Sequence, residues 1–308
     1  MSQVAEGTLF ERMLVPLDGS PEAESILYQA QKLLCGKKGE VLLFHVLDAA
    51  SQPANPEAAE KYLMGVEKRL TAGGARVRRI LCSGPVESAL LETIRSERIS
   101  LVALSSHGRQ TSADTPVSSI VDTVVRASEV PVFISRAFEI GPDGTLVPSK
   151  CEPSNIRRLL VPLDGSSACE AAIPYARELA LMLGARVVIL HVDPEGHAGG
   201  EEIVGDRVTG APTGPVPGKE SSPDERIAYA AKTFSAAGLE TITLHLGGEP
   251  ETTLLGFARP SAVDMIAMTT QGRGGQAAHE IGGVAQRVLK EALLPTLFVR
   301  ANSGTSVA

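Results

Sequence analysis

Short apolar runs alternate with amphipathic stretches along the whole chain, and that alternation predicts a fold. Met13–Leu17 is apolar and ends in Asp18-Gly19-Ser20-Pro21. Such a run predicts a buried strand that turns into a helix, with Ser20 as N-cap and Pro21 at the first helical position. Ile26, Leu27, Ala30, Leu33 and Leu34 keep helical spacing as far as Gly36, and Val41–Leu47 supplies a second apolar strand. Pro56–Leu70 is helical in pattern, and Ala75–Cys82 alternates as an exposed strand does. Gly84-Pro85 opens a third helix with Val86, Leu90, Leu91 and Ile94 on one face, followed by a fourth strand at Leu101–Leu104. Ser105–Val117 is too dense in Gly, Ser, Thr, Asp and Pro for regular structure. Ile120, Val124 and Val125 then restore helical spacing, and Val130–Ser135 is the last strand.

Strands alternating with helices in this way form a parallel sheet covered on both faces, because the crossovers are right-handed. Unbroken hydrophobicity in Val41–Leu47 and Leu101–Leu104 fits strands buried on both sides. The plan then repeats. LVPLDGS occurs at Leu14–Ser20 and again at Leu160–Ser166, and His45-Val46 returns as His191-Val192, each displaced by 146 positions. Gly108 matches Gly272 and Val130-Pro131 matches Leu294-Pro295 at a displacement of 164, so about 18 extra residues lie between these landmarks in the second copy. The second copy predicts strands at Arg158–Leu163, Arg186–Val192, Glu240–Leu246, Val263–Thr269 and Thr296–Arg300, with helices at Ala168–Leu183, Asp224–Ala237, Glu251–Ala258 and Ile281–Leu293. A repeat this long exceeds the roughly 20–50 residues of a solenoid unit, so each copy should be a domain with its own core. The prediction is α/β, with two doubly wound, five-stranded parallel-sheet domains at 9–137 and 157–301. A linker at 138–156 and a Gly- and Pro-rich surface loop at about 194–223 complete it.

Composition narrows the function. The net charge is −7 with no basic run, which argues against a nucleic-acid surface built on phosphate neutralisation. Trp is absent and aromatics are 4%, so base-stacking platforms for single strands are not expected either. No apolar run is long enough to cross a membrane, and Met1–Glu11 lacks a signal-peptide profile, so a soluble cytoplasmic protein is expected. Cys35, Cys82, Cys151 and Cys169 show no CxxC spacing and read as free thiols. Met64, Met182, Met265 and Met268 read as core filler.

Ligands of doubly wound sheets bind beyond the carboxyl ends of the strands, where the winding direction reverses. Three segments of the first copy end there: Pro16-Leu17-Asp18, Val46 and Ser105–Ser119. Their counterparts are Pro162-Leu163-Asp164, Val192 and Thr269–Gly283. A Gly- and hydroxyl-rich loop running into a helix presents N–H groups and the positive end of a dipole to an anion. Arg109 and Arg273, at matching places in the two loops, are natural cationic partners for phosphate oxygens. Taken alone, Asp-Gly-Ser after a strand reads first as a turn and N-cap. His45 and His191 read as satisfied core or edge histidines. His107 has Gln271 as its counterpart, which points to a loop hydrogen bond. Neither a GxSxG elbow nor a Walker A motif occurs.

These residues resemble the universal stress protein family over nearly the whole chain. Its nucleotide-binding members carry Gly, two residues, Gly, nine residues, Gly and then Ser or Thr after strand four. That register falls on Ser105, Gly108, Ser118 and Ser119 in the first copy, and on Thr269, Gly272, Gly282 and Gly283 in the second. Only the middle glycine is common to both. The resemblance implies a Rossmann-type, adenine nucleotide alpha-hydrolase-like fold with strand order 3-2-1-4-5. It also implies that Asp18 and Asp164 bind the ribose or a phosphate-bound metal, that Val46 and Val192 hold adenine through backbone groups, and that Pro16 and Pro162 wall the base pocket. Ile120 and Val284, which follow the loops, join the nucleotide contacts on the same ground.

The function so implied is a stress-response regulatory module that binds ATP or another adenine nucleotide, with or without Mg²⁺, and has no dedicated catalytic centre. A slow Mg²⁺-dependent ATPase and a nucleotide-free interaction protein are the alternatives. The last strands, Pro131–Ser135 and Thr296–Arg300, are apolar and fall at sheet edges, which a protein must cover or pair. Family members join domains through the fifth strand, which implies an internal pseudo-dimer and leaves room for a homodimer of whole chains.

Overall fold

The computed structural model describes residues 9–34, 39–47, 55–108, 117–140, 146–148, 156–196, 202–204, 217–218, 221–259, 262–273 and 280–301. The chain divides into two compact units, 1–153 and 154–308.

The first unit runs β1 (Arg12–Pro16), α1 (Pro21–Leu34), β2 (Glu40–Leu47), α2 (Pro56–Ala72), β3 (Arg76–Ser83), α3 (Val86–Ser96), β4 (Leu101–Ser105), α4 (Ser119–Ala127) and β5 (Val132–Ser135). Its five strands are all parallel, in the order β3-β2-β1-β4-β5. Burial follows position in the sheet. β4 is buried at every residue and β1 at its three central ones, whereas β3 is nowhere fully buried, which matches its alternating sequence. Phe44, Leu14, Leu63 and Leu90 fill the core from β2, β1, α2 and α3. Met64 is an exception among the residues read as core filler. It stands out from α2 at 52% exposure, off the face formed by Leu63, Val66 and Leu70. Within the segment read as a linker, β6 (Phe138–Ile140) and β7 (Leu146–Pro148) pair as an antiparallel hairpin.

The second unit repeats the plan: β8 (Arg158–Pro162), α5 (Ile173–Leu183), β9 (Arg186–Asp193), α6 (Pro223–Ala236), β11 (Thr241–Gly247), α7 (Pro250–Phe257), β12 (Met265–Thr269), α8 (Gly283–Glu291) and β13 (Thr296–Val299). Its parallel core has the order β11-β9-β8-β12-β13. Register is conserved with order: Met13 pairs with Val41 and Leu101, and the matching Leu159 pairs with Val187 and Met265. The segment expected to be a loop contributes a further strand, β10 (Glu202–Val204), antiparallel to β11.

Proline accounts for several boundary shifts. The helix expected from Ala168 begins as a 3-10 turn at Cys169–Ala172, where Ile173 N–H bonds the Glu170 carbonyl. Pro174 lacks an N–H and is tolerated only in the first turn, so α-helical bonding starts at Ile173. Strands five begin one residue after Pro131 and Pro295, although both proline carbonyls accept ladder bonds, from Val102 and Ile266. α8 ends at Glu291 because Ala292 turns extended shortly before the Leu294-Pro295 pair, where the residue before proline disfavours helix. Among the described residues no helix is long and apolar enough to cross a membrane.

Phe234 of α6 is wholly buried, whereas Tyr28 of α1 is 57% exposed. Phe234→Ala should cost about 3–5 kcal/mol in urea unfolding and Tyr28→Ala less than about 0.5 kcal/mol. Equal effects would contradict the assigned cores.

Candidate functional site

β1 has β2 on one side and β4 on the other, so the sheet changes winding direction at the carboxyl ends of β1 and β4. Asp18 and Gly108 meet at this point. A Cβ added to Gly108 would fall 2.6 Å from Oδ2 of Asp18. The second unit repeats the approach more tightly: a Cβ on Gly272 would run into Oδ2 of Asp164 and lie 3.2 Å from its Cγ. At the middle glycine of each loop an aspartate carboxylate therefore sits where any side chain would clash.

The Asp-Gly-Ser segment sets the carboxylate. Gly19 and Gly165 take φ of 84° and 74°, a left-handed conformation that favours glycine, and the chain folds back on the aspartate. The Ser20 N–H and hydroxyl donate to Asp18 Oδ1 at 2.8 and 2.6 Å, and the same hydroxyl accepts from Ala23 N–H at 3.1 Å to cap α1. Ser166 clamps Asp164 identically at 2.9 and 2.6 Å. The turn-and-cap reading therefore describes Oδ1. In the second unit Oδ2 reaches the loop, where it accepts Arg273 N–H at 2.7 Å.

Two histidines brace these turns. His45 Nδ1 lies 2.7 Å from the Leu17 carbonyl, and His191 Nδ1 lies 2.8 Å from that of Leu163. A carbonyl only accepts, so Nδ1 carries the proton and the ring ties the end of strand two to the residue before the aspartate. Val46 and Val192, the next residues, are half-buried at the same ends. Pro16 and Pro162 close strands one opposite Phe44 and Leu190.

The loop hydroxyls differ in use. Ser105 is buried with its hydroxyl 3.0 Å from that of Ser25, while Thr269 donates to the Gln271 carbonyl at 2.6 Å. His107 Nδ1 meets the Ser106 hydroxyl at 2.8 Å, a loop bond of the kind expected. Ser118 N–H donates to the Ser106 carbonyl and its hydroxyl accepts from Val121 N–H, capping α4 beside the exposed Ser119 and half-buried Ile120. Gly282 N–H donates to Thr270 in the same way, but no side chain at Gly282 caps α8. Gly283 is exposed and Val284 half-buried. Arg273 is exposed, and a Cβ on Gly165 would lie 3.3 Å from its Nη2 and 2.6 Å from Pro223 Cα, so the guanidinium and the end of the insertion both cover the Asp-Gly-Ser turn. Arg109 lies outside the described residues.

Sequence reasoning missed two neighbours of the second site. Cys169 is buried, its thiol donating to the Ser166 carbonyl at 2.9 Å. Burial and the Asp164 charge push that thiol up to about 12, which keeps it protonated and a poor nucleophile. Glu251 of α7 lies against Gly283, and no periodicity in the sequence announces a contact between helices. Among the described residues no three His, Cys, Asp or Glu side chains group to hold a metal ion.

Burial pushes the Asp164 carboxyl up, but bonds from the Ser166 hydroxyl and N–H and from Arg273 N–H outweigh it, leaving the group below its ordinary 3.8. A carboxylate depressed in this way stabilises the fold where it is ionised. Its contribution is complete above the unfolded value and disappears as pH falls through the folded one. The stability gap between wild type and Asp164→Asn in urea unfolding should therefore be constant from pH 7 to about 5 and narrow below about 3.8. A gap unchanged down to pH 2 would contradict the clamp.

The sequence profile described as "Universal stress protein family" matches residues 9–136 and 155–300. Universal stress protein YxiE of Bacillus subtilis is 30% identical over 154 residues, 46% of this chain and 98% of that protein. Universal stress protein MJ0531 of Methanocaldococcus jannaschii is 26% identical over 150 residues, 47% of this chain and 82% of that protein. In fold, the crystal structure of a universal stress protein from Archaeoglobus fulgidus is similar with a TM-score of 0.67 at 19% identity, covering 94% of this chain and 96% of that one. With the profile matched in both halves, the chain belongs to the universal stress protein family and carries two of its domains in tandem.

Proposed function

We propose that the chain binds adenine nucleotides, ATP or a close relative, where strands one and four end, and that it acts as a regulatory module rather than a dedicated catalyst. The observation that carries this reading is the approach of a clamped aspartate to a loop glycine, built twice from the same parts. A bare carboxylate repels phosphate, so Asp18 and Asp164 suit a ribose hydroxyl or a nucleotide-borne Mg²⁺. Pro16 and Pro162 would flank the base, and the backbone at Val46 and Val192 would meet its polar edge. The loop N–H groups, Ser118, Ser119, Arg109 and Arg273 would take the phosphates. That Arg273 N–H already donates to an anionic oxygen supports the loop's fitness for the task. Phosphoryl transfer would need a positioned proton acceptor, and the first loop's His107 has only Gln271 opposite it in the second.

Titration calorimetry of ATP, ADP and AMP against wild type, Gly108→Asp and Gly272→Asp tests the reading. Each substitution sets a second carboxylate against the first and should weaken binding at its own copy by at least about tenfold. Asp18→Asn and Asp164→Asn serve as milder variants that keep the turn's shape. Absence of nucleotide binding by wild type, or binding unaffected by all four changes, would refute it.

A further inference from the structure

Two imidazoles meet in the second unit. His191 of β9 and His245 of β11 are register partners on adjacent parallel strands, so they share one face of the sheet. Their rings stand edge to face with centroids 5.6 Å apart. His191 is buried and commits Nδ1 to the Leu163 carbonyl. That bond holds the proton on Nδ1 and leaves the lone pair of Nε2 without a hydrogen-bond partner among the described residues. The half-buried His245 ring makes no hydrogen bond among them either. A ring with one nitrogen tied to a carbonyl and the other free is oriented as metal-ligating histidines are. In zinc sites an imidazole nitrogen lies about 2.0–2.1 Å from the ion, which sets two rings on one tetrahedral ion about 5–6 Å apart between centroids. The observed spacing falls in that range. These side chains supply two ligands, and the backbone register adds the place of a third. Glu202 of β10 stands opposite His245, so an acidic residue follows the two histidines across β9, β11 and β10.

The first unit shows that the brace on the aspartate turn works without a second imidazole. Gly84 and Gly248, at φ of 122° and 125°, follow the matching strands β3 and β11, so Leu81 is the counterpart of His245. His45 still holds the Leu17 carbonyl there, with Tyr62 as its ring neighbour at 6.2 Å. His245 is therefore surplus to the turn.

We infer that His191 and His245, with Glu202 at the next register place, form a binding site for a borderline divalent cation, Zn²⁺ foremost. The first unit lacks it because Leu81 stands where His245 does. Imidazole donors suit Zn²⁺, whereas Mg²⁺ and Ca²⁺ take oxygen ligands. An ion on Nε2 fixes the His191 ring, and through Nδ1 it fixes the Leu163 carbonyl that precedes Asp164. The site stands whether or not the aspartate turn binds a nucleotide.

The test titrates Zn²⁺ by calorimetry into the full chain, stripped of metal by a chelator and then freed of it, and into His245→Leu, His191→Gln and Glu202→Gln. His245→Leu installs the first unit's residue and should weaken binding at least about tenfold, as should His191→Gln. Glu202→Gln should weaken it by about threefold or more. His245→Gln replaces the leucine variant if that one melts early. Zn²⁺ should raise the Tm of wild type and leave that of His245→Leu in place. Co²⁺ used as the probe should give the visible bands of a tetrahedral site without a thiolate charge-transfer band, and His245→Leu should lose them. Rings that merely pack would bind no ion, and His245→Leu would then change the Tm equally with and without metal. No saturable Zn²⁺ binding by wild type, an affinity unchanged in both histidine variants, or a thiolate band with Co²⁺ would each overturn the site. An affinity unchanged in Glu202→Gln would overturn the place given to Glu202.

Discussion

The pairing of β1 with β4, and of β8 with β12, is the constraint on which the rest depends. Met13 beside Leu101, and Leu159 beside Met265, fix where two otherwise distant segments end. Once that register is set by burial on both faces, Asp18 and Gly108 can only meet at the carboxyl edge, as must Asp164 and Gly272. A one-residue slip would invert every side chain of the strand between the two covered faces and separate the pair. Core packing and site geometry are therefore one property of the sheet. The Ser clamp and the His45 and His191 braces act after that, fixing which oxygen of each aspartate turns to the loop.

Much of this was legible in the sequence, for identifiable reasons. Unbroken apolar runs reported the doubly covered strands, and the alternation in Ala75–Cys82 reported the edge position of β3. The doubled LVPLDGS reported equivalence of the two units, down to register. What stayed hidden has two sources. Local backbone chemistry moved boundaries, as where Pro174 delays α5 and where β10 forms inside a segment rich in Gly and Pro. Contacts between elements also leave no periodic trace. The inward turn of the Ser105 hydroxyl to Ser25, the burial of Cys169 beside the clamp, and the seat of Glu251 on Gly283 all depend on packing that one strand or helix cannot announce.

The duplicated modules share the bonds of the aspartate turn and differ elsewhere. The aspartate turns superpose residue for residue in their bonds, Ser20 with Ser166 and His45 with His191. The loops after strand four are Ser-rich in one unit and Gly-rich in the other, and each choice has a physical consequence. Ser118 supplies a hydroxyl cap, whereas Gly282 supplies none and the Glu251 carboxylate lies against Gly283. The insertion adds a further difference, since Pro223 packs on Gly165 and the buried Arg226 joins Glu170 to the Gly218 carbonyl.

The central claim is that the carboxyl edge of β1 and β4, and of β8 and β12, is where a nucleotide sits. Amide NMR of the full chain during ATP and AMP titration tests it most directly. The account predicts that the amides of Gly19, Gly108, Gly165 and Gly272 shift first, while Arg12 and Arg158, at the opposite edge of the same strands, stay in place. Shifts confined to residues away from these four glycines would contradict it.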